Sequence, residues 1–258
     1  MNRYSTLFVT TLPLFIVLGC SKTQPPAVPK SAVPATPAYF HVDPSTAGSI
    51  EGSVRYAGPR LVGKVIDMSE DPACVAAHKS KMHDESLVVD QHGGLGNAFV
   101  YIEKGLEGKQ FEVPQAPVVI DQSGCWFHPR VMGIMVNQTL RILNSDPVTH
   151  NIHPMAVTNR EWNHSQGPGD PPVDRHFIKP EIMIPVKCNI HSWMHSYIGV
   201  VDNPYFAVTA ADGGFRLPNL PPGTYTLAVW HEKMGVQRQV VTVTSNSVAA
   251  SRFTFHAQ

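Results

Sequence analysis

The stretch Glu181-Ile182-Met183-Ile184-Pro185-Val186-Lys187-Cys188-Asn189-Ile190-His191-Ser192-Trp193-Met194 decides how the rest of the chain is read. Ile182, Ile184, Val186 and Cys188 fall at every second position, and a period of two places all four on one face of a β-strand. Cys188 then points into the interior at the strand's end. That position suits a buried metal ligand and equally an inert core cysteine. About forty residues upstream stands Asn144-Ser145-Asp146-Pro147-Val148-Thr149-His150-Asn151, a turn rich in Asn and Asp that ends in His-Asn.

Outward from these two segments the chain reads as short strands with turn punctuation. Its 23 prolines and 19 glycines separate β-branched and aromatic runs, which favours an all-β fold over a helical one. Strands are expected over residues 48–56, 97–102, 118–121, 133–136, 139–143, 181–188, 206–209, 215–217, 224–230 and 239–244. Asp71-Pro72 opens a short helix through Ala77, with proline at the first helical position. Strand, tight turn (Asp212-Gly213-Gly214, Pro221-Pro222-Gly223) and strand at short intervals mark a β-sandwich. Lys+Arg and Asp+Glu are both 20, and no basic block is present, so nucleic acid is excluded as a partner.

Two resemblances cover most of this. GSVRYAG, NAFVYIEKG and VTAADGGFRLPNLPPGTYTLAVW resemble the opening and closing strands of a carboxypeptidase-regulatory-like (transthyretin-like) sandwich, spanning residues 47–115 plus 203–258. Residues 116–202 resemble a cupredoxin, a Greek-key β-sandwich. The two are combined either by insertion of the cupredoxin into a discontinuous sandwich, the simpler arrangement, or as tandem domains. The cupredoxin resemblance implies one type 1 (blue) copper held by His150, Cys188, His191 and Met194. A thiolate and two imidazoles make a trigonal site acceptable to both Cu(I) and Cu(II), and a weak axial thioether tunes the potential. The spacing from Cys188 to His191 to Met194 is similar to the shorter, amicyanin-type ligand loops. His150-Asn151 resembles the plastocyanin-like pattern, which makes Asn151 a restraint tying the distant strand to the ligand loop. Trp193 and Ile152 either rim an exposed edge of His191 where a partner docks or serve as local packing. His153 and His195 are read as surface or hydrogen-bonding residues, and Trp230-His231-Glu232 as a sandwich edge.

Residues 1–20 run from a basic start through an apolar stretch too short to span a membrane and read as an export signal. Val17-Leu18-Gly19-Cys20 resembles a bacterial lipobox, which implies lipidation of Cys20 and anchoring at the outer membrane's periplasmic face or the cell surface. Residues 21–46 carry six prolines and no periodicity, the composition of an extended tether. With Cys20 lipidated and Cys188 on metal, Cys74 and Cys125 remain, either as a disulfide or as two buried thiols. The function expected is one-electron transfer with a c-type cytochrome or another copper protein, without catalysis. The extra His-X-His and His-Cys-His clusters of multicopper oxidases and nitrite reductases are missing from the sequence. A non-redox copper-handling or surface interaction module is the alternative.

Overall fold

The computed structural model of the chain describes residues 38–59 and 62–257. The export segment, Cys20 and most of the expected tether lie outside the described residues. In chain order the elements are β1 (Gly48–Ala57), α1 (Pro72–Ala76), β2 (Phe99–Lys104), β3 (Val118–Gln122), β4 (Phe127–His128), β5 (Val131–Met135), β6 (Leu140–Asn144), β7 (His150–Pro154) and β8 (His164–Gln166). They continue as β9 (Val173–Arg175), β10 (Glu181–Lys187), β11 (His195–Val201), β12 (Phe206–Val208), β13 (Gly214–Leu220), β14 (Gly223–His231), β15 (Gly235–Val243) and β16 (Val248–His256). The all-β class holds.

Among the described residues the strands form four sheets. Sheets β13-β1-β16 and β12-β2-β14-β15 come from the two ends of the described chain. They enclose a core that includes Ile50, Val54, Val100, Leu227, Phe253 and Phe255. β16 shows the physical cause: Ser251, Phe253 and Phe255 are buried while Arg252, Thr254 and His256 between them are exposed. Sheets β4-β3-β6-β9 and β5-β11-β10-β7-β8 come from residues 118–201 and enclose a second core with Ile120, Phe127, Ile142, Ile152, Ile184 and Ile198.

β2 belongs to both bodies, because its residues are buried on both faces. Val100 and Ile102 enter the first core, while Phe99 and Tyr101 turn outward to meet Val131, Met183, Val201 and Ala228 in a seam between the sheets. The seam needs glycine. Gly133 and Gly199 are paired across β5 and β11, and a Cβ at Gly199 would stand 2.6 Å from the Phe99 ring. Full burial of a side chain the size of Phe99 stabilises by roughly 1.5–3 kcal/mol, so the flat glycine surface is worth its cost in strand propensity.

Two local readings are corrected. Ile182 does not share the inward face of Ile184, Val186 and Cys188; it is exposed, and Met183 is buried instead. The cause is a register irregularity between Glu181 and Ile184, with Met183 at φ 61°, which turns Met183 into the seam. The end of the expected tether is also folded: the Phe40 ring packs edge-on against Phe111, and Val42 joins the first core.

Helix α1 forms as its sequence predicts. Asp71 Oδ1 caps it, accepting from Ala73 N at 2.9 Å and Cys74 N at 3.4 Å, and Pro72 follows the cap. Cys74 is bonded to Cys125 across a Cα separation of 5.5 Å. The surrounding loop packs Met68 and Cys74 into the second core, although residues 47–115 read in sequence as part of the outer sandwich.

Candidate metal centre

Three neighbouring elements deliver the site. β7 and β10 are antiparallel with Lys187 opposite His153, so continuing that register carries His150, at the start of β7, beside the turn that follows Cys188. That turn joins β10 to β11 and closes on itself. Cys188 N donates to Met194 O at 3.2 Å, and Met194 N donates to His191 O at 3.1 Å. His150 Nδ1 and His191 Nδ1 stand 3.0 Å apart, with Cys188 Sγ 4.0 Å from His191 Nδ1. The three donor atoms lie within 4.8 Å of one another, and all three residues are buried. Met194 is fully buried in the same core. Cys188 Sγ also accepts from the amides of Ile190 and His191, each at 3.4 Å.

The outer nitrogen of each imidazole meets a carboxylate. His150 Nε2 is 2.7 Å from Asp146 Oδ2, and His191 Nε2 is 3.1 Å from Asp71 Oδ2. Asp146 is fixed in turn by the amides of Gly124 at 2.6 Å and Cys125 at 2.7 Å. Burial pushes the His150 pKa down despite Asp146, so a neutral ring is favoured. Burial opposes ionisation of Asp71, but bonds from His191, Ala73 and Cys74 outweigh it and hold its carboxyl below the usual range.

These contacts test whether a metal fits. With both Nε2 atoms donating to carboxylates, both Nδ1 atoms turn lone pairs toward each other and toward the sulfur. Two acceptors facing each other at 3.0 Å repel unless a proton or a cation lies between them. Two imidazoles and one cysteine sulfur, each held by outer hydrogen bonds, are a donor set suited to type 1 copper and to zinc.

The other singled-out residues fall as follows. Asn151 ties strand to loop: its Oδ1 accepts from Asn189 N at 2.7 Å, and its amide donates to Asn163. His153 supports the same loop, 3.2 Å from Asn189 Oδ1 and 2.5 Å from Glu161. His195 is exposed at the start of β11. Of the two readings of Trp193 and Ile152, local packing holds and the docking rim does not. His191 is only 4% exposed, because Asp71, 3.1 Å from its Nε2, and the Cys74 sulfur, 3.8 Å from the same atom, cover the edge. Ile152 is a fully buried core residue, and Trp193 packs against the His191 ring while donating to Cys125 O at 3.1 Å.

Sequence reasoning did not assign roles to Asp71 and Asp146. Asp146 had a local signal, four residues before His150 in the same turn. Asp71 showed only that a helix opens there, and its second oxygen reaches a residue 120 positions away.

A family profile described as polysaccharide lyase family 4, domain II, matches residues 185–251. It begins within β10 and ends within β16, across the limit drawn from sequence at 202. No curated protein matches the chain. Solved structures with similarity include a Cu-containing nitrite reductase from Thermus scotoductus SA-01, at 22% identity over 39% of this chain and 26% of that one, TM-score 0.32. An oxidised amicyanin mutant aligns at 16% identity over 39% of this chain and 97% of its own, TM-score 0.30. A purple cupredoxin from Nitrosopumilus maritimus aligns at 22% identity over 33% and 99%, TM-score 0.28. The structural neighbours are thus cupredoxins over a minor share of the chain, and the chain spans about a quarter of the nitrite reductase. The case for a site in this chain rests on its own geometry.

Proposed function

We propose that this protein binds one copper ion as a type 1 site, which His150, Cys188, His191 and Met194 would hold. It then acts as a one-electron carrier rather than an enzyme. Copper there would accept and release a single electron. The observation that supports this reading is the convergence of two imidazole Nδ1 atoms and one thiol sulfur in a buried pocket, each imidazole locked from behind by a carboxylate. Such locking leaves little to rearrange when the charge of the site changes. Asn151 and His153 brace the turn at Asn189, and the amides of Ile190 and His191 support the sulfur.

The wider assignment follows the sequence. Cys20 carries lipid, a proline-rich tether holds the domain away from the membrane, and a c-type cytochrome or another copper protein exchanges electrons with it outside the cytoplasm. The strands of residues 118–201 are read as a cupredoxin inserted in a carboxypeptidase-regulatory-like sandwich. A redox titration of the copper-loaded protein tests the carrier reading: one reversible one-electron wave is expected. Copper that binds but leaves on reduction would favour copper handling instead.

A further inference from the structure

Both imidazoles of the centre are backed by a carboxylate, and the two carboxylates reach it by different routes. Asp146 lies on the turn that also carries His150 and is itself pinned by the amides of Gly124 and Cys125. Asp71 belongs to none of the strands that carry ligands. It arrives on the N-cap of α1, a helix held to the second core through Cys74–Cys125. One oxygen of Asp71 serves the helix, and the other serves His191.

We propose that Asp71 and Asp146 are positioning residues that set the reduction potential of the centre, holding it low. This rests on the copper reading above. A carboxylate that accepts Nε2–H gives the imidazole more anionic character and makes its Nδ1 a stronger donor, which favours the higher oxidation state. The charge of each carboxylate acts in the same direction, since a nearby negative group stabilises Cu(II) more than Cu(I). Both effects run through atoms that do not touch the metal. They therefore separate from the loss of a ligand, which would also remove the colour of the site.

Asp71→Asn is the cleanest probe, because asparagine caps a helix as well as aspartate does and the Oδ1 contacts with Ala73 and Cys74 survive. The experiment is a spectroelectrochemical titration of copper-loaded wild type, Asp71→Asn, Asp146→Asn and the double variant, with zinc(II) affinity of the metal-free proteins as a second readout. Each single variant should stay coloured and shift the Cu(II)/Cu(I) equilibrium at least tenfold toward Cu(I), about 59 mV upward for a one-electron couple. Zinc, which has no redox chemistry, should bind each variant roughly 10–100-fold more weakly. If Asp146→Asn does not fold, Asp71→Asn carries the test alone. A coloured wild type with an Asp71→Asn potential unchanged within threefold of that equilibrium overturns the proposal and leaves the copper reading intact. A wild type that takes up no coloured copper overturns both.

Discussion

At the scale of single residues, the turn after Cys188 separates a buried methionine from an exposed histidine. Met194 is fully buried beside Cys188, whereas His195 is exposed one position later. Met194→Leu should therefore keep a coloured site and raise its potential, since loss of a weak axial thioether chiefly disfavours Cu(II). His195→Ala should change neither colour nor potential. Visible spectra and potentials of the two variants check this, and metal loss in His195→Ala would shift the ligand assignment by one residue. A second prediction concerns His231, which is 1% exposed. Burial, with Arg130 and Lys233 nearby, pushes its pKa down from 6.5 to about 4. The fold binds the neutral ring, so its contribution is complete above pH 6.5 and is lost as pH falls from there through about 4, roughly 3 kcal/mol in all. His231→Asn keeps an acceptor for the Lys233 amide and should abolish that share of the acid loss. Urea unfolding of both proteins between pH 8 and pH 4 tests it, and parallel stability curves would contradict it. The convergence of His150, Cys188 and His191 was legible because their spacing lies within one turn and one strand. The carboxylate of Asp71 was not, because a helix cap uses one oxygen and sequence says nothing of where the other points.

At the scale of elements, alternation and turn residues were enough to place most strands, since a half-buried strand writes its two faces into its sequence. Failures occurred where both faces are apolar or the register breaks. β10 has isoleucine and methionine on either side of its irregularity, so period alone could not show that Met183 rather than Ile182 turns inward. β2 hides the same ambiguity, because Phe99 and Tyr101 serve one core and Val100 and Ile102 another. The paired glycines on β5 and β11 are the complement of those rings. Gly199→Ala should destabilise the protein by about 1–3 kcal/mol, because its Cβ would meet a fully buried Phe99 and the Met183 terminus. Equilibrium urea unfolding reads this directly. A variant as stable as wild type would mean that the seam has room which the Phe99 packing denies.

At the scale of the whole molecule, the two sandwich bodies are joined by that seam and by Arg130, whose guanidinium makes two bonds with Glu232, at 2.7 and 2.9 Å, with both side chains almost wholly buried. Trp230-His231-Glu232, which reads as a plain sandwich edge, thus holds a junction. A buried pair of this kind is expensive to break from one side. The N-terminal lipobox reading makes a separate prediction: wild-type protein expressed in a bacterium should fractionate with membranes, and Cys20→Ala should be released in soluble form or remain uncleaved. Unchanged fractionation of the variant would indicate an ordinary export signal. The central claim is that the buried sulfur and two imidazoles form a blue copper centre, and the visible spectrum of purified protein titrated with Cu(II) tests it most directly. The geometry predicts an intense band that saturates at one copper per chain and is absent in Cys188→Ser, because only the thiolate supplies that charge-transfer transition. A wild-type protein that stays colourless and takes up only zinc would contradict it.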